Sequence, residues 1–220
     1  MRIFLIRHGQ TTSNVEHLLD TRPPGAELTR RGREQASALG IELAKLLSPA
    51  MPRVLTSIAI RAQQTAMLAI RAFEEVRDLE PHSVLVEPVL GLHEIFAGRH
   101  EMSGSEDAHR DYTFALRGWL NGDPHAAMEG GEDLEQILAR YRPVIEEAAQ
   151  TGDGDLVVFS HGAAIRVVTT HACDVDPDFA FTGYMPNCRF TMMETHGREF
   201  GEWELLQWAD LTVDGNAQAF

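Results

Sequence analysis

A histidine stands at position 8, between an arginine and a glycine. The apolar run 3–6 comes just before this triplet. Such a run predicts a buried β-strand, so Arg7 and His8 would emerge at its carboxyl end, where open α/β sheets bind ligands. A histidine beside a fixed cation, before a glycine that lets the backbone approach closely, suits attack on an anionic phosphorus centre better than metal binding. The triplet Arg7–Gly9 alone is a weak signal, and a surface histidine after an edge strand is the alternative.

The chain repeats this arrangement near its other end. The run 155–160 predicts a buried strand that leads into His161 and Gly162, followed by a helix from Ala163 to about Ala172. We therefore interpret His161 as a partner of His8.

Two further candidates lie between these histidines. The run 54–57 predicts a short strand that leads into a helix ending near Val76, so Arg61 falls on the first helical turn, where a phosphate clamp belongs. Glu94 lies between a histidine and an isoleucine, after a third predicted strand at Val84–Val86. A partly buried glutamate there would suit a general acid. A solvated arginine and an exposed loop glutamate are the alternatives.

The polar cluster 11–14 predicts a helix start with its capping hydroxyls. Asn14 is then either a cap or a hydrogen-bond donor to a ligand, because helix starts also bind anions. An irregular loop is predicted from Leu18 to Glu27.

Strands and helices alternate up to residue 172, which predicts a mostly parallel sheet. Further helices are expected from Thr29 to Leu47 and from Asp133 to Ala148, with a final hairpin of strands at 189–194 and 202–207. The fold class is therefore a three-layer α/β sandwich whose mixed central sheet is flanked by helices. We expect one domain over 1–220, in which a helical and loop excursion at about 99–130 covers the site. Disorder is expected only in the tail from about Val213.

Composition limits the partners of the chain. With 33 acidic and 19 basic residues the net charge is −14, which argues against nucleic acid and anionic membranes as partners. Two distant cysteines, no apparent leader and no apolar run of membrane-spanning length favour a cytoplasmic protein. Glu74 and Glu75 are expected at a solvated helix end, and Trp203, Trp208 and Met192–Met193 in the core.

Taken together, these motifs resemble the histidine phosphatase superfamily, specifically its phosphoglycerate-mutase-like branch. The resemblance runs in order from residue 3 to about 166. It is carried by Leu5–Thr11 with Asn14, Leu28–Gly32 with Gln35–Ala36, Ser57 with Arg61–Ala62 and Gln64–Ala66, Leu92 with Glu94 and Gly98, and Ser160–Gly162.

This resemblance implies that His8 is the nucleophile that becomes phosphorylated and that Arg7, Arg61 and His161 hold the phosphoryl oxygens. It implies that Glu94 is the proton donor and that Asn14 lies in the phosphate pocket. The same resemblance places Gly162, Thr11 and Gln10 on the substrate-binding side. No metal or other cofactor is needed for this chemistry, and the two arginines would lower the pKa of His8 by like-charge repulsion.

Two segments depart from the family pattern. In the segment 98–102, histidine and methionine flank Glu101, where the family often has an aromatic residue and a glycine. Pro23–Glu27 replaces a common glycine and aspartate. Both differences put the identity of the substrate in doubt and leave the chemistry alone.

The preferred function is hydrolysis of a small phosphorylated metabolite. A phosphoglycerate mutase is the alternative, although the 99–130 segment lacks the basic insertion of primer-dependent mutases. Further options are a phosphate-binding regulatory module without turnover, a homodimer, and a metal site at His93, His100 and His109. Arg99, Arg110 and Arg117 are candidates for recognising a second anionic group on the substrate.

Overall fold

The computed structural model describes residues 1–151 and 153–213. It contains a seven-stranded sheet of order β3-β2-β4-β1-β5-β6-β7, in which β1, β2, β3 and β4 are parallel and the later strands antiparallel. The strands are β1 Arg2–Arg7, β2 Arg53–Ser57, β3 Val86–Val89, β4 Leu156–Ser160, β5 Phe190–Glu194, β6 Glu204–Trp208 and β7 Leu211–Thr212. The predicted mixed α/β sheet is confirmed.

Seven α-helices accompany the strands within the described residues. They are α1 Thr12–Val15, α2 Arg30–Leu46, α3 Ile60–Val76, α4 Glu106–Leu120, α5 Leu134–Ala149, α6 Gly162–Cys173 and α7 Pro177–Thr182. The predicted helix starts at Thr29 and Asp133 are confirmed, since both residues cap helices through their side chains.

Alternating side chains of the central strands separate two apolar cores. Phe4 and Ile6 of β1 pack with buried residues of α2 and α3 on one face of the sheet. Ile3 and Leu5 pack on the opposite face with buried residues of α4, α5 and α6. Because successive strand residues point to opposite faces, one apolar run serves both cores and produces the three layers.

The third strand was predicted two residues too early. It runs over Val86–Val89 rather than Val84–Val86, and it contains Pro88, which an edge strand tolerates. Val84 is nevertheless buried, because it packs in the core that contains Phe4 and Ile6, and its N–H donates to the carboxylate of Glu74 at 2.9 Å. The prediction that Glu74 is solvated is therefore wrong, whereas Glu75 is exposed and pairs with Arg71.

Other predictions are borne out by packing. Trp203, Trp208 and Met193 are buried, and Met192 is partly buried against the core that contains Phe4 and Ile6. The strands β5 and β6 pair antiparallel. Helix α7 and strand β7 have no counterpart among the predicted elements. The tail predicted to be disordered lies, from residue 214 onward, outside the described residues. Within those residues no helix has the length and apolar character needed to span a bilayer.

Candidate active site

The two histidine motifs meet because their strands are parallel neighbours. The register of β1 and β4 places Arg7 beside Ser160, and the N–H of His8 donates to the Ser160 carbonyl at 3.0 Å. The ring of His8 consequently lies 5.2 Å from that of His161, centroid to centroid, at an angle of 60°. The repeat of one pattern along the sequence thus becomes a pair in space.

A local hydrogen bond sets the tautomer of His8. Its Nδ1 lies 2.8 Å from the Gly9 carbonyl oxygen, which can only accept, so Nδ1 carries the hydrogen and Nε2 keeps its lone pair. The side chain is only 4% exposed. Burial lowers the pKa of His8 well below its usual value, and the charges of Arg61 and Arg7 lower it further. The ring is therefore neutral, with its lone pair on Nε2.

Gly9 allows a close backbone approach, but the group that approaches it is the backbone of Gly32 rather than a ligand. A Cβ at Gly9 would lie 2.5 Å from the Gly32 carbonyl oxygen, and one at Gly32 would lie 2.1 Å from that of Gln10. The two glycines let the loop after β1 pack on the first turn of α2. Thr65 of α3 fixes the same loop by accepting from the Gly9 N–H at 2.9 Å.

Arg7 and Arg61 each present one buried nitrogen that has no hydrogen-bond partner in the described structure. These are Arg7 Nε and Arg61 Nη1. Arg7 is held through Nη1, which donates to the Met185 carbonyl at 2.6 Å and to the Tyr184 hydroxyl at 2.9 Å. Buried donors are normally satisfied, so two such nitrogens near one histidine are typical of a site for an anion.

His161 is fully buried and contacts Arg61 directly. Its Nε2 lies 2.9 Å from the Ser57 hydroxyl, and its Nδ1 accepts from Arg61 Nε at 3.3 Å. Burial lowers the pKa of His161 well below the usual value, and the charge of Arg61 lowers it further. In this arrangement His161 is neutral and orients Arg61.

Glu94 lies at the amino terminus of α6. Its carboxylate accepts from the N–H groups of Ala164 at 2.9 Å, Ala163 at 3.2 Å and Ile95 at 2.9 Å. These three N–H groups fix the position of the carboxylate at the start of the helix. The expected partly buried position is found, with backbone donors around the carboxylate that the sequence did not indicate.

Asn14 caps α1 and also lines the cavity beside His8. Its Oδ1 accepts from the Thr11 N–H at 3.1 Å, and the Thr11 hydroxyl accepts from the Asn14 N–H at 3.1 Å, which completes a capping box. Gln10, Thr11 and Gly162 line the same cavity. A Cβ at Gly162 would lie 3.3 Å from Arg7 Nε, so this glycine leaves room for the guanidinium.

The cavity has a volume of about 490 Å³ and contains several residues that the sequence patterns missed. Asn187 donates to the His8 carbonyl at 3.0 Å and to Asn14 Oδ1 at 3.2 Å. Asp20, which is buried, lies 3.7 Å from Arg61 Nη1. Tyr184 and Arg166 complete one wall. These residues come from irregular segments or from helix interiors, where no spacing rule selects them.

Both segments that depart from the family pattern contact residues that line the cavity. Glu101 accepts from the Thr21 N–H and hydroxyl and from the Arg22 N–H, so it anchors the loop that forms one wall. Gly25 lies against Arg61, since a Cβ at this position would be 2.0 Å from Arg61 Nη1.

The three arginines of the excursion do not line the cavity of His8. Arg99 pairs with Glu129 and Asp111, Arg110 with Asp107 and Asp111, and Arg117 with Asp178. The structure does not support them as ligands of a second anionic group in this cavity.

The histidines of the metal hypothesis have separate contacts: His93 stacks on Phe96, His100 pairs with Asp111, and His109 bonds to the His17 carbonyl.

The three-layer fold, with histidines at two adjacent parallel strand ends, is that of the phosphoglycerate-mutase-like proteins. The chain belongs to the histidine phosphatase superfamily, branch 1, whose family model matches residues 3–211.

Similarity to individual proteins agrees with this family. The chain is 29% identical to an adenosylcobalamin/alpha-ribazole phosphatase of Escherichia coli over 76% of its own length and 77% of the relative's. It is 26% identical to a PE-PGRS family protein of Mycobacterium tuberculosis over 96% of its own length, and it spans only 37% of that relative. A mycobacterial glucosyl-3-phosphoglycerate phosphatase, solved with VO3, superposes with a TM-score of 0.75 at 25% identity, over 94% and 98% of the two chains.

Proposed function

We propose that the chain is a phosphomonoester hydrolase that acts without a metal ion, through a phosphohistidine on His8, on a small phosphorylated metabolite. The observation that carries the proposal is that one cavity brings together the free Nε2 lone pair of His8 and two buried nitrogens, Arg7 Nε and Arg61 Nη1, that have no hydrogen-bond partner among the described residues. Membership of the family and the phosphatase names of the relatives support it.

In the first half of the proposed reaction, His8 Nε2 attacks phosphorus in line with the ester oxygen. The phosphorus–oxygen bond breaks, and the departing alkoxide takes a proton from Glu94. Arg7 and Arg61 stabilise the charge that spreads over the equatorial oxygens. His161 contributes by orienting Arg61, in addition to the direct contact with phosphate that the family resemblance implies.

In the second half, water attacks the phosphohistidine and the phosphorus–nitrogen bond breaks. Glu94 takes the proton from water, and inorganic phosphate leaves. The N–H groups of Ala163 and Ala164 hold the Glu94 carboxyl group in one position for both proton transfers. Asn14, Thr11, Gln10 and Gly162 contribute the remaining contacts to the substrate.

We place this activity in the cytoplasm, and the unpaired state of both Cys173 and Cys188 supports a reducing compartment. The following points stay predictions: the absence of nucleic-acid and membrane partners, the single domain over 1–220, the excursion that covers the site, and the homodimer.

Hydrolysis of p-nitrophenyl phosphate in the presence of EDTA, by the native protein and by His8→Ala, tests the proposal. We expect turnover that survives EDTA and is abolished by the substitution. Turnover that needs a metal ion, or that persists in the variant, would contradict it. If the native protein shows no hydrolysis, primer-dependent isomerisation of phosphoglycerate is the next assay, because a mutase would transfer the phosphoryl group to another hydroxyl.

The role of Glu94 is tested by Glu94→Gln with two kinds of substrate. A proton donor matters most for a poor leaving group, so hydrolysis of alkyl phosphates should fall far more than that of activated aryl phosphates. Equal losses for both would remove Glu94 from this role.

A further inference from the structure

Arg166 on α6 is a charged residue of the cavity that the proposed phosphate chemistry does not use. It lies four residues after Gly162 and lines the cavity together with Glu94. Its Nε and Nη2 donate to the Ala180 carbonyl at 3.1 and 2.8 Å, and Nη2 also donates to that of Phe181 at 2.5 Å. Among the described residues, Nη1 has no protein hydrogen-bond partner.

In the part of the chain that the structure describes, no carboxylate forms an ion pair with this cation. The chain has 33 acidic residues for 19 basic ones, yet Arg166 forms no ion pair within residues 1–151 and 153–213, whereas Arg117 nearby pairs with Asp178. Burial lowers the pKa of Arg166, which reflects the cost of keeping its charge away from water. A partly buried cation without an ion pair, on the wall of a cavity, is typical of a site for an anionic ligand.

We infer that Arg166 binds a second anionic group, a carboxylate or a phosphate, on the leaving-group part of the substrate. This inference rests on the proposed function. Glu94 is bound by the N–H groups of Ala163 and Ala164. Arg166 follows on the same helix and lines the same cavity, which places it on the side where the ester oxygen would receive its proton. A cavity of about 490 Å³ is in the range that encloses a whole small ligand rather than a phosphoryl group alone.

The specificity constant, kcat/KM, for matched pairs of substrates tests the inference. One pair is 3-phosphoglycerate and glycerol 3-phosphate, in which a carboxylate replaces a neutral alcohol. The other is the bisphosphate and the monophosphate of propane-1,3-diol. We expect the native protein to prefer the anionic member of at least one pair by about 10- to 150-fold, the range of a charge-assisted hydrogen bond. The pair with the larger preference identifies the group as carboxylate or phosphate.

Arg166→Gln should abolish this preference, while Arg166→Lys should keep part of it because the cation remains. Arg117→Gln is the matched control: it removes a neighbouring cation that does not line the cavity, and the preference should not change. A native protein without preference in either pair would overturn the inference. Equal losses for both members of each pair in Arg166→Gln would also overturn it, because they would indicate that Arg166 only anchors α7. Hydrolysis of p-nitrophenyl phosphate by the native protein separates these failures from failure of the proposed function.

Discussion

Replacing Gly25 by alanine tests whether the loop after α1 controls the position of Arg61. Gly25 has a φ of +69°, and a Cβ there would lie 2.0 Å from Arg61 Nη1 and 3.2 Å from Asp20 Oδ1. The first distance is far below van der Waals contact. The end of the arginine side chain yields more easily than backbone, so Gly25→Ala should displace the guanidinium from its position near His8.

Two costs of this substitution can be separated. A non-glycine residue with left-handed backbone costs about 1–2 kcal/mol, which lowers the free energy of unfolding. A lost charge-assisted hydrogen bond to phosphate costs about 1.5–3 kcal/mol, so kcat/KM should fall by about 10- to 150-fold.

Gly197→Ala is the matched control. Gly197 has a φ of +71° and no heavy atom within 4 Å of the added Cβ, so it carries the same backbone cost without touching the site. Urea unfolding should show similar losses of stability in both variants, while the kcat/KM for p-nitrophenyl phosphate and the inhibition constant of inorganic phosphate should change only in Gly25→Ala. Equal kinetics in the two variants would refute the link between Gly25 and Arg61.

Two more predictions concern stability. His8 and His161 are neutral in the folded protein, because their pKa values lie well below that of the unfolded state. Below about pH 6.5 the unfolded chain therefore binds more protons than the folded one. As the pH is lowered through this range, the free energy of unfolding should fall by up to about 1.4 kcal/mol per pH unit for each histidine. Urea unfolding at several pH values should show a smaller slope in His8→Gln, and an unchanged slope would contradict this reasoning. Glu74→Gln should lower the free energy of unfolding by about 1–3 kcal/mol, because a buried acceptor of two loop amides is weakened, whereas Glu75→Gln should have little effect; a similar loss in both variants would contradict the buried role of Glu74.

The part of the site that lies at strand ends could be predicted from the sequence. The apolar runs before His8 and His161 identify buried strands, and parallel neighbours bring their carboxyl ends to one edge. Arg61 follows the same rule, since it stands on the first turn after β2. Local patterns therefore suffice where periodicity and chain direction determine the position of a side chain.

The rest of the cavity depends on contacts between distant segments. Asn187 reaches His8 across 179 residues, and Tyr184 reaches Arg7 across 177, both from a segment without regular structure. The same reason explains the error at Glu74, whose partners lie in a loop that propensity does not fold onto the helix end. For the arginines of the excursion, only the fold reveals that nearby carboxylates neutralise them, while Arg166 lines the cavity.

Trapping the phosphoenzyme tests the central claim most directly. The native protein is mixed with an aryl phosphate, quenched within one turnover in base, where a phosphohistidine survives, and digested for mass spectrometry, with His8→Ala treated in parallel. The mechanism predicts one phosphoryl group, labile in acid, on the peptide that contains His8, and none in the variant. A protein that hydrolyses the ester without any phosphorylated peptide, or with the phosphoryl group on another residue, would contradict the assignment of His8 as the nucleophile.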